Sequence, residues 1–169
     1  PFDATVSGDF ARAAEVLLDS KPDALIFIAN GVDSAQLSQQ VRKQAPDIRL
    51  FAAEWAASES LFELGGRAIE GLVLLQTYDR YDERPRYVSF RNGYQDRFRS
   101  APGFSSIAAY DGALALLAAL SLEEGDLKAA MDMLKPVEGL QQDIEFDAYG
   151  DSERIRVFVT ATDGKFIRK

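Results

Sequence analysis

An α/β fold with parallel βαβ layers is what this sequence predicts, on three observations. Residues 24–29, 48–53 and 69–76 are short apolar runs that read as buried strands. Helical patterns separate them, at lengths that call for right-handed crossovers between parallel neighbours. The first run also releases Asn30, Gly31, Val32 and Asp33 into a loop, and the second releases Glu54 and Trp55. In open α/β sheets, loops leaving the carboxyl ends of parallel strands are where ligands collect, so these two loops predict one crevice.

The elements follow in order. Ser7, Gly8 and Asp9 are cap candidates for a helix that places Phe10, Ala13, Ala14, Leu17 and Leu18 on one face, and Lys21-Pro22-Asp23 ends it. Between the first two strands a helix over 33–44 turns Leu37 and Val41 inward, with Pro46 at its exit. Ser58 can cap a short helix punctuated by Gly65-Gly66. The mixed-charge segment from Thr77 to Pro85 predicts a solvated connection rather than a charge-based site. Beyond it Tyr87, Phe90, Tyr94 and Phe98 recur at helical spacing, a stripe that reads as core.

After Ala101-Pro102-Gly103, residues 106–122 form a strongly apolar helix; Ile107, Tyr110, Leu114 and Leu117 imply burial on more than one side, with Tyr110 in the core. Asp126 caps a short helix ending near Leu134, and residues 144–146 read as a short strand. The turn from Asp147 to Asp151 lacks the ligand spacing of a calcium loop. Asp163-Gly164 between two alternating runs predicts a hairpin.

Composition narrows the chemistry. With 47% hydrophobic and 27% charged residues the chain is globular, and no apolar run approaches the roughly 18 residues of a membrane span. A net charge of -8 argues against a nucleic-acid backbone or an anionic membrane as partner. Having no Cys and no His, the chain cannot supply a thiol nucleophile, a Cys or His zinc site, a Ser-His-Asp triad or imidazole acid-base catalysis. Acids are plentiful, but no paired-carboxylate constellation for a hydrolase is visible. No enzyme activity, cofactor or metal is expected. The opening on Pro1 rather than Met reads as an internal fragment or a processed product.

The series Lys21-Pro22-Asp23, then Leu50-Phe51-Ala52-Ala53-Glu54-Trp55, then Gly65-Gly66-Arg67-Ala68-Ile69-Glu70-Gly71, resembles the second half of a type I periplasmic binding protein. Its branched-chain amino-acid branch of ABC-transporter solute receptors is the nearest. Ala109-Tyr110-Asp111, Glu138-Gly139-Leu140, Ile144-Glu145-Phe146-Asp147 and Gly150-Asp151 continue the pattern, so the resemblance spans essentially the whole chain. It implies a two-lobed Venus-flytrap fold present as its carboxyl-terminal fragment. Residues 1–77 would belong to the C-terminal lobe, 78–84 to a crossover linker, 85–146 to the N-terminal lobe, 147–154 to a second crossover and 155–169 to a hairpin returning to the first lobe. A first half of comparable length would precede Pro1. Gln142, where a second glycine often follows Gly139, and Asn30, where some relatives carry an aromatic residue, depart from the pattern.

By the same resemblance the protein captures an amino acid or related small polar metabolite in the periplasm or an equivalent extracytoplasmic space. It delivers that ligand to an ABC permease without inserting into the membrane, and Glu54 meets the ligand ammonium. A non-transport sensor or interaction module of the same fold is the alternative. Each candidate ligand-binding residue also has a plainer reading. Glu54 reads equally as a solvated loop acid, Asn30 and Asp33 as turn-forming and helix-capping residues, and Trp55 as an anchor packing its loop down. Phe104 and Ser105 either line the opposite wall or pack as surface loop. Strand edges left open in such a fragment predict self-association.

Overall fold

Apolar alternation becomes a sheet here because each buried strand position finds a helix to cover it. The computed structural model of the protein describes residues 9–122 and 125–169. In chain order the elements are α1 (Asp9–Asp19), β1 (Ala24–Phe27), α2 (Gly31–Gln44), β2 (Arg49–Ala52), α3 (Glu59–Gly65), β3 (Val73–Gln76), α4 (Pro85–Phe98), α5 (Phe104–Leu120), α6 (Leu127–Asp132), β4 (Val137–Glu138), β5 (Asp143–Ile144), β6 (Val157–Thr162) and β7 (Lys165–Arg168). The chain divides into two units: one runs up to Gln76 and resumes at Val157–Lys169, the other is Thr77–Arg156. Ser7 and Gly8, expected to help cap the first helix, lie outside the described residues.

The first unit is a five-stranded sheet in the order β1-β2-β3-β6-β7. β1, β2 and β3 run parallel, as the crossover pattern predicts, while β6 is antiparallel to β3 and β7 to β6. Asp163 (φ 50°) and Gly164 (φ 72°) adopt the left-handed backbone that an Asp-Gly hairpin turn requires. Leu25, Phe27, Leu50, Ala52, Leu74, Val159 and Phe166 are buried on one face of the sheet. Phe62 of α3 meets Phe166 across 4.5 Å between ring centroids, which sets α3 over that face. Each of the buried Leu, Val and Phe side chains contributes about 1.5–3 kcal/mol.

β3 begins four residues later than the apolar run suggests. Residues 66–69 form a 3₁₀ turn and the Leu72 N–H is spent on the Ile69 carbonyl, so the run enters the sheet only from Gly71 and Leu72, which exchange hydrogen bonds with Ala161 of β6. At the other end Gln76 pairs with Val157 and is fully buried, yet neither side-chain amide atom has a hydrogen-bond partner.

The second unit is mainly helical. Tyr78, Tyr87, Ile107 and Leu140 form its core, with Phe90 and Phe104 packed against them. Burial, reinforced by Tyr78, pushes the Tyr87 phenol up to about 12 against the opposing pull of Arg91 and Arg80. The aromatic stripe runs outward from that core: Tyr87 is buried, Phe90 and Tyr94 half-buried, Phe98 exposed. α5 buries one stripe only, Ile107, Asp111, Ala115 and Ala119, while Leu116, Leu117 and Leu120 are exposed. Tyr110, expected in the core, is exposed and meets the Phe90 ring at a tilt, 4.7 Å between centroids. Uniform hydrophobicity along a helix does not say which side finds a neighbour.

Buried Asp111 ties the unit together. Its carboxylate accepts from the Leu140 N–H at 2.9 Å and from the Arg154 guanidinium at 2.8 Å, linking α5, the loop between β4 and β5, and the segment before β6. Gln142, the departure from glycine, adds a second stitch by accepting from the Ile155 N–H at 2.7 Å and donating to the Glu153 carbonyl. The charged stretch after Thr77 is likewise not solvated throughout. Tyr78 and Asp82 are buried, and the Asp79 backbone exchanges hydrogen bonds with the Gln141 amide.

Two outcomes are expected. Asp111→Ala removes one partner of a buried ion pair and strands the Leu140 N–H; in urea denaturation it should cost about 3 kcal/mol, and a loss below about 1 kcal/mol would mean the joint carries little. Desolvation raises the Asp82 pKa, but the hydrogen bonds and charge of Arg84 outweigh it and leave the carboxyl below its usual 3.8. A depressed folded pKa adds stability above the unfolded value that is lost as pH falls through the folded one. Melting temperature should therefore drop more steeply below about pH 4 in the wild type than in Asp82→Asn.

Candidate functional site

Two loops leave the carboxyl edge of the parallel strands side by side. The Ala53 N–H donates to the Phe27 carbonyl at 2.9 Å, so the end of β2 is tied to the end of β1. Gly31 opens α2 against the second loop. A Cβ there would fall 2.1 Å from the Ser58 hydroxyl and 3.1 Å from the Ala56 carbonyl, so only glycine permits this approach. Ser58 sits at the cap position of α3, but its hydroxyl pairs with that of Ser60 at 2.8 Å instead of capping the helix.

Asn30 and Asp33 lock together locally. The Asn30 Oδ1 accepts from the Asp33 N–H and its Nδ2 donates to the Asp33 carboxylate, both at 2.9 Å, which is a helix cap in full use. Glu54 opens a 3₁₀ turn over Glu54–Ala56 and is half-buried, while Trp55 beside it is 58% exposed. Asn30, Asp33, Glu54 and Trp55 thus share the first unit and its carboxyl edge. Phe104 and Ser105 belong to the second unit at the start of α5, where Phe104 packs on the Tyr78 and Tyr87 core and Ser105 is exposed.

Sequence reasoning missed Gln76, which ends the third parallel strand as Asn30 and Glu54 follow the first two. The signal was a polar residue closing an otherwise apolar run. Among the described residues no three His, Cys, Asp or Glu side chains converge as a metal site, and no helix is long and apolar enough to cross a membrane. A shallow groove of about 780 Å³ on the second unit, edged by Phe90, Tyr94, Phe98 and Tyr110, contains none of the candidate ligand-binding residues.

A model of the periplasmic binding protein family matches residues 2–161, and the chain belongs to that family. Among curated proteins none matches. Among solved structures, a leucine binding protein from Thermotoga maritima is 22% identical with a TM-score of 0.86, over 100% of this chain and 50% of its own. A branched-chain amino-acid transporter substrate binding protein from Streptococcus pneumoniae, in complex with isoleucine, is 19% identical with a TM-score of 0.79 over 97% of this chain and 50% of its own. An ABC-transporter solute binding protein from R. palustris, in complex with benzoate, is 14% identical with a TM-score of 0.79 over 98% of this chain and 47% of its own. The parallel-rich sheet is that of the type I periplasmic binding protein fold, and the chain spans about half the length of these structures.

The close approach at Gly31 is directly testable. Gly31→Ala should destabilise the chain by about 1–3 kcal/mol through overpacking, and Ser58→Ala in the same chain should restore part of that loss. Purely additive effects of the two substitutions in thermal unfolding would disconnect the two loops.

Proposed function

We propose that this member of the periplasmic binding protein family is part of a non-enzymatic, extracytoplasmic solute receptor that captures an amino acid or related small polar metabolite for an ABC importer. The observation that carries this reading is the delivery of Glu54 and Trp55 to the carboxyl edge of a parallel sheet, beside the first turn of α2. A carboxylate there suits an ammonium group, and an indole suits an aliphatic or aromatic side chain. The leucine binding protein and the isoleucine complex among the structural relatives support that ligand class; the benzoate complex extends it to a carboxylate without an amine.

In this reading, residues 1–77 and 155–169 serve the C-terminal lobe and 85–146 the N-terminal lobe, with 78–84 and 147–154 as crossovers. Asn30, Asp33, Glu54 and Trp55 act from the first lobe, and Phe104 and Ser105 from the second. The solute favours closure only by the extra affinity it gains when both lobes touch it. Drying of the cleft on closure then strengthens the ammonium–carboxylate pair.

The test uses a protein that carries this chain together with the first half its relatives have. Glu54→Gln keeps the shape and removes the charge, so calorimetry should find leucine binding weakened by about 2–5 kcal/mol. The melting temperature without ligand should be unchanged. Equal affinities would remove the ammonium partner and with it the amino-acid assignment. This chain alone should bind leucine negligibly, and submillimolar affinity in calorimetry would overturn the two-lobe requirement.

A further inference from the structure

Segments outside helix and strand have no ladder to hold them, so whatever pairs their backbone decides how freely they move. The second unit is joined to the chain through two such segments, which start beside one another at the Gln76–Val157 pair of the β3–β6 ladder. Three consecutive residues between β4 and β5 serve both. Gln141 accepts from the Asp79 N–H at 2.9 Å and donates to the Asp79 carbonyl. Gln142 accepts from the Ile155 N–H at 2.7 Å and donates to the Glu153 carbonyl. Leu140 donates its N–H to Asp111, which also holds Arg154.

Tightness of the turn makes this possible. Glu138 pairs with Asp143, and the Gly139 N–H donates to the Gln142 carbonyl at 3.0 Å, closing a loop of residues 139–142. A Cβ at Gly139 would fall 2.5 Å from that carbonyl, so glycine is what lets the loop close. Leu140 is buried in the core of the second unit, so the loop cannot swing away with either segment. Each glutamine amide spends a donor and an acceptor on backbone groups; a glycine or alanine at 142 would supply neither bond. Between the ladder and these bonds stand Thr77 and Tyr78 on one segment and Arg156 on the other.

We propose that Gln141 and Gln142 are positioning residues that brace the two connecting segments into one joint, so that both bend together when the receptor closes on its solute. This rests on the receptor reading above. Two segments that bend separately permit many closed arrangements, and a solute that needs contacts from both lobes has to order them at the moment of binding. Braced, the segments share one motion, with bending confined to the short stretches beside Gln76 and Val157. The solute's extra affinity for the closed form is then not diminished by that ordering.

Amide hydrogen exchange of the full chain, read residue by residue by NMR, tests the brace without any solute. Gln142→Ala should speed exchange at Ile155 directly and at Asp79 through the shared loop, and Gln141→Ala should do the reverse, each at least about fivefold at the distant amide. Exchange in β1 and β2 should be unchanged. Gln141 is buried, so if Gln141→Ala alters the circular dichroism spectrum, the variant at half-buried Gln142 decides the outcome. An effect confined to the substituted residue's own segment would overturn the brace. In a protein that adds the first half of the fold, Gln142→Ala should weaken leucine binding at least about threefold in calorimetry, although no candidate ligand-binding residue is altered. Coupled exchange with unchanged leucine affinity would overturn the role in closure. Absence of leucine binding in the wild type would instead remove the receptor reading, and the role in closure with it, while the exchange result still decides the brace.

Discussion

The pairing of Gln76 with Val157 is the constraint on which the rest of the structure depends. These residues are neighbours across the antiparallel β3–β6 ladder, yet 80 residues of chain, Thr77 to Arg156, separate them. Both ends of the second unit therefore leave from adjacent strands of the first. Closing a loop of that length costs only a few kcal/mol of chain entropy. The ladder and the buried hairpin residues Val159, Ala161 and Phe166 offset that cost. Without the β6–β7 hairpin, β3 would be an edge strand and Gln76 the end of an unpaired ladder.

Polar groups do in the second unit what apolar packing does in the first. Its aromatic core is small, and the segments without regular structure are fixed by three side chains: Asp111, Gln141 and Gln142. Each satisfies backbone groups that a short strand or loop cannot pair for itself, which an interior requires. Gln76 is the exception, with both amide atoms buried and unpaired, and an unpaired buried amide disfavours the folded state. It lies at the carboxyl edge where the proposed solute site is drawn, and polar groups kept at some cost to stability are common at such sites.

How much the sequence disclosed depends on the range of the interaction. β1, β2 and the β6–β7 hairpin were legible because alternation and an Asp-Gly turn are local signals. So was the Asp126 cap, whose carboxylate accepts from the Lys128 N–H at 2.9 Å. β4, a strand of two residues immediately after Pro136, carries no periodicity and exists only through its pairing with β5. The single buried stripe of α5 was illegible because leucine and alanine occur all round that helix. At the site, Asn30 and Asp33 have the capping geometry that their residue types suggest, whereas the buried end of β3 at Gln76 depends on a strand 80 residues away.

The family and fold follow from the whole chain; the receptor reading stands on motion, the closing of two lobes on a solute. Because the chain has no Cys, labels can be placed cleanly. Cysteines at the exposed Glu63 and Gln95, one in each unit, would carry donor and acceptor dyes in a protein that includes both halves of the fold. Added leucine or isoleucine should change transfer efficiency in a single saturable step to a shorter distance. A distance that stays constant while calorimetry records binding would contradict closure, and with it the two-lobed receptor mechanism.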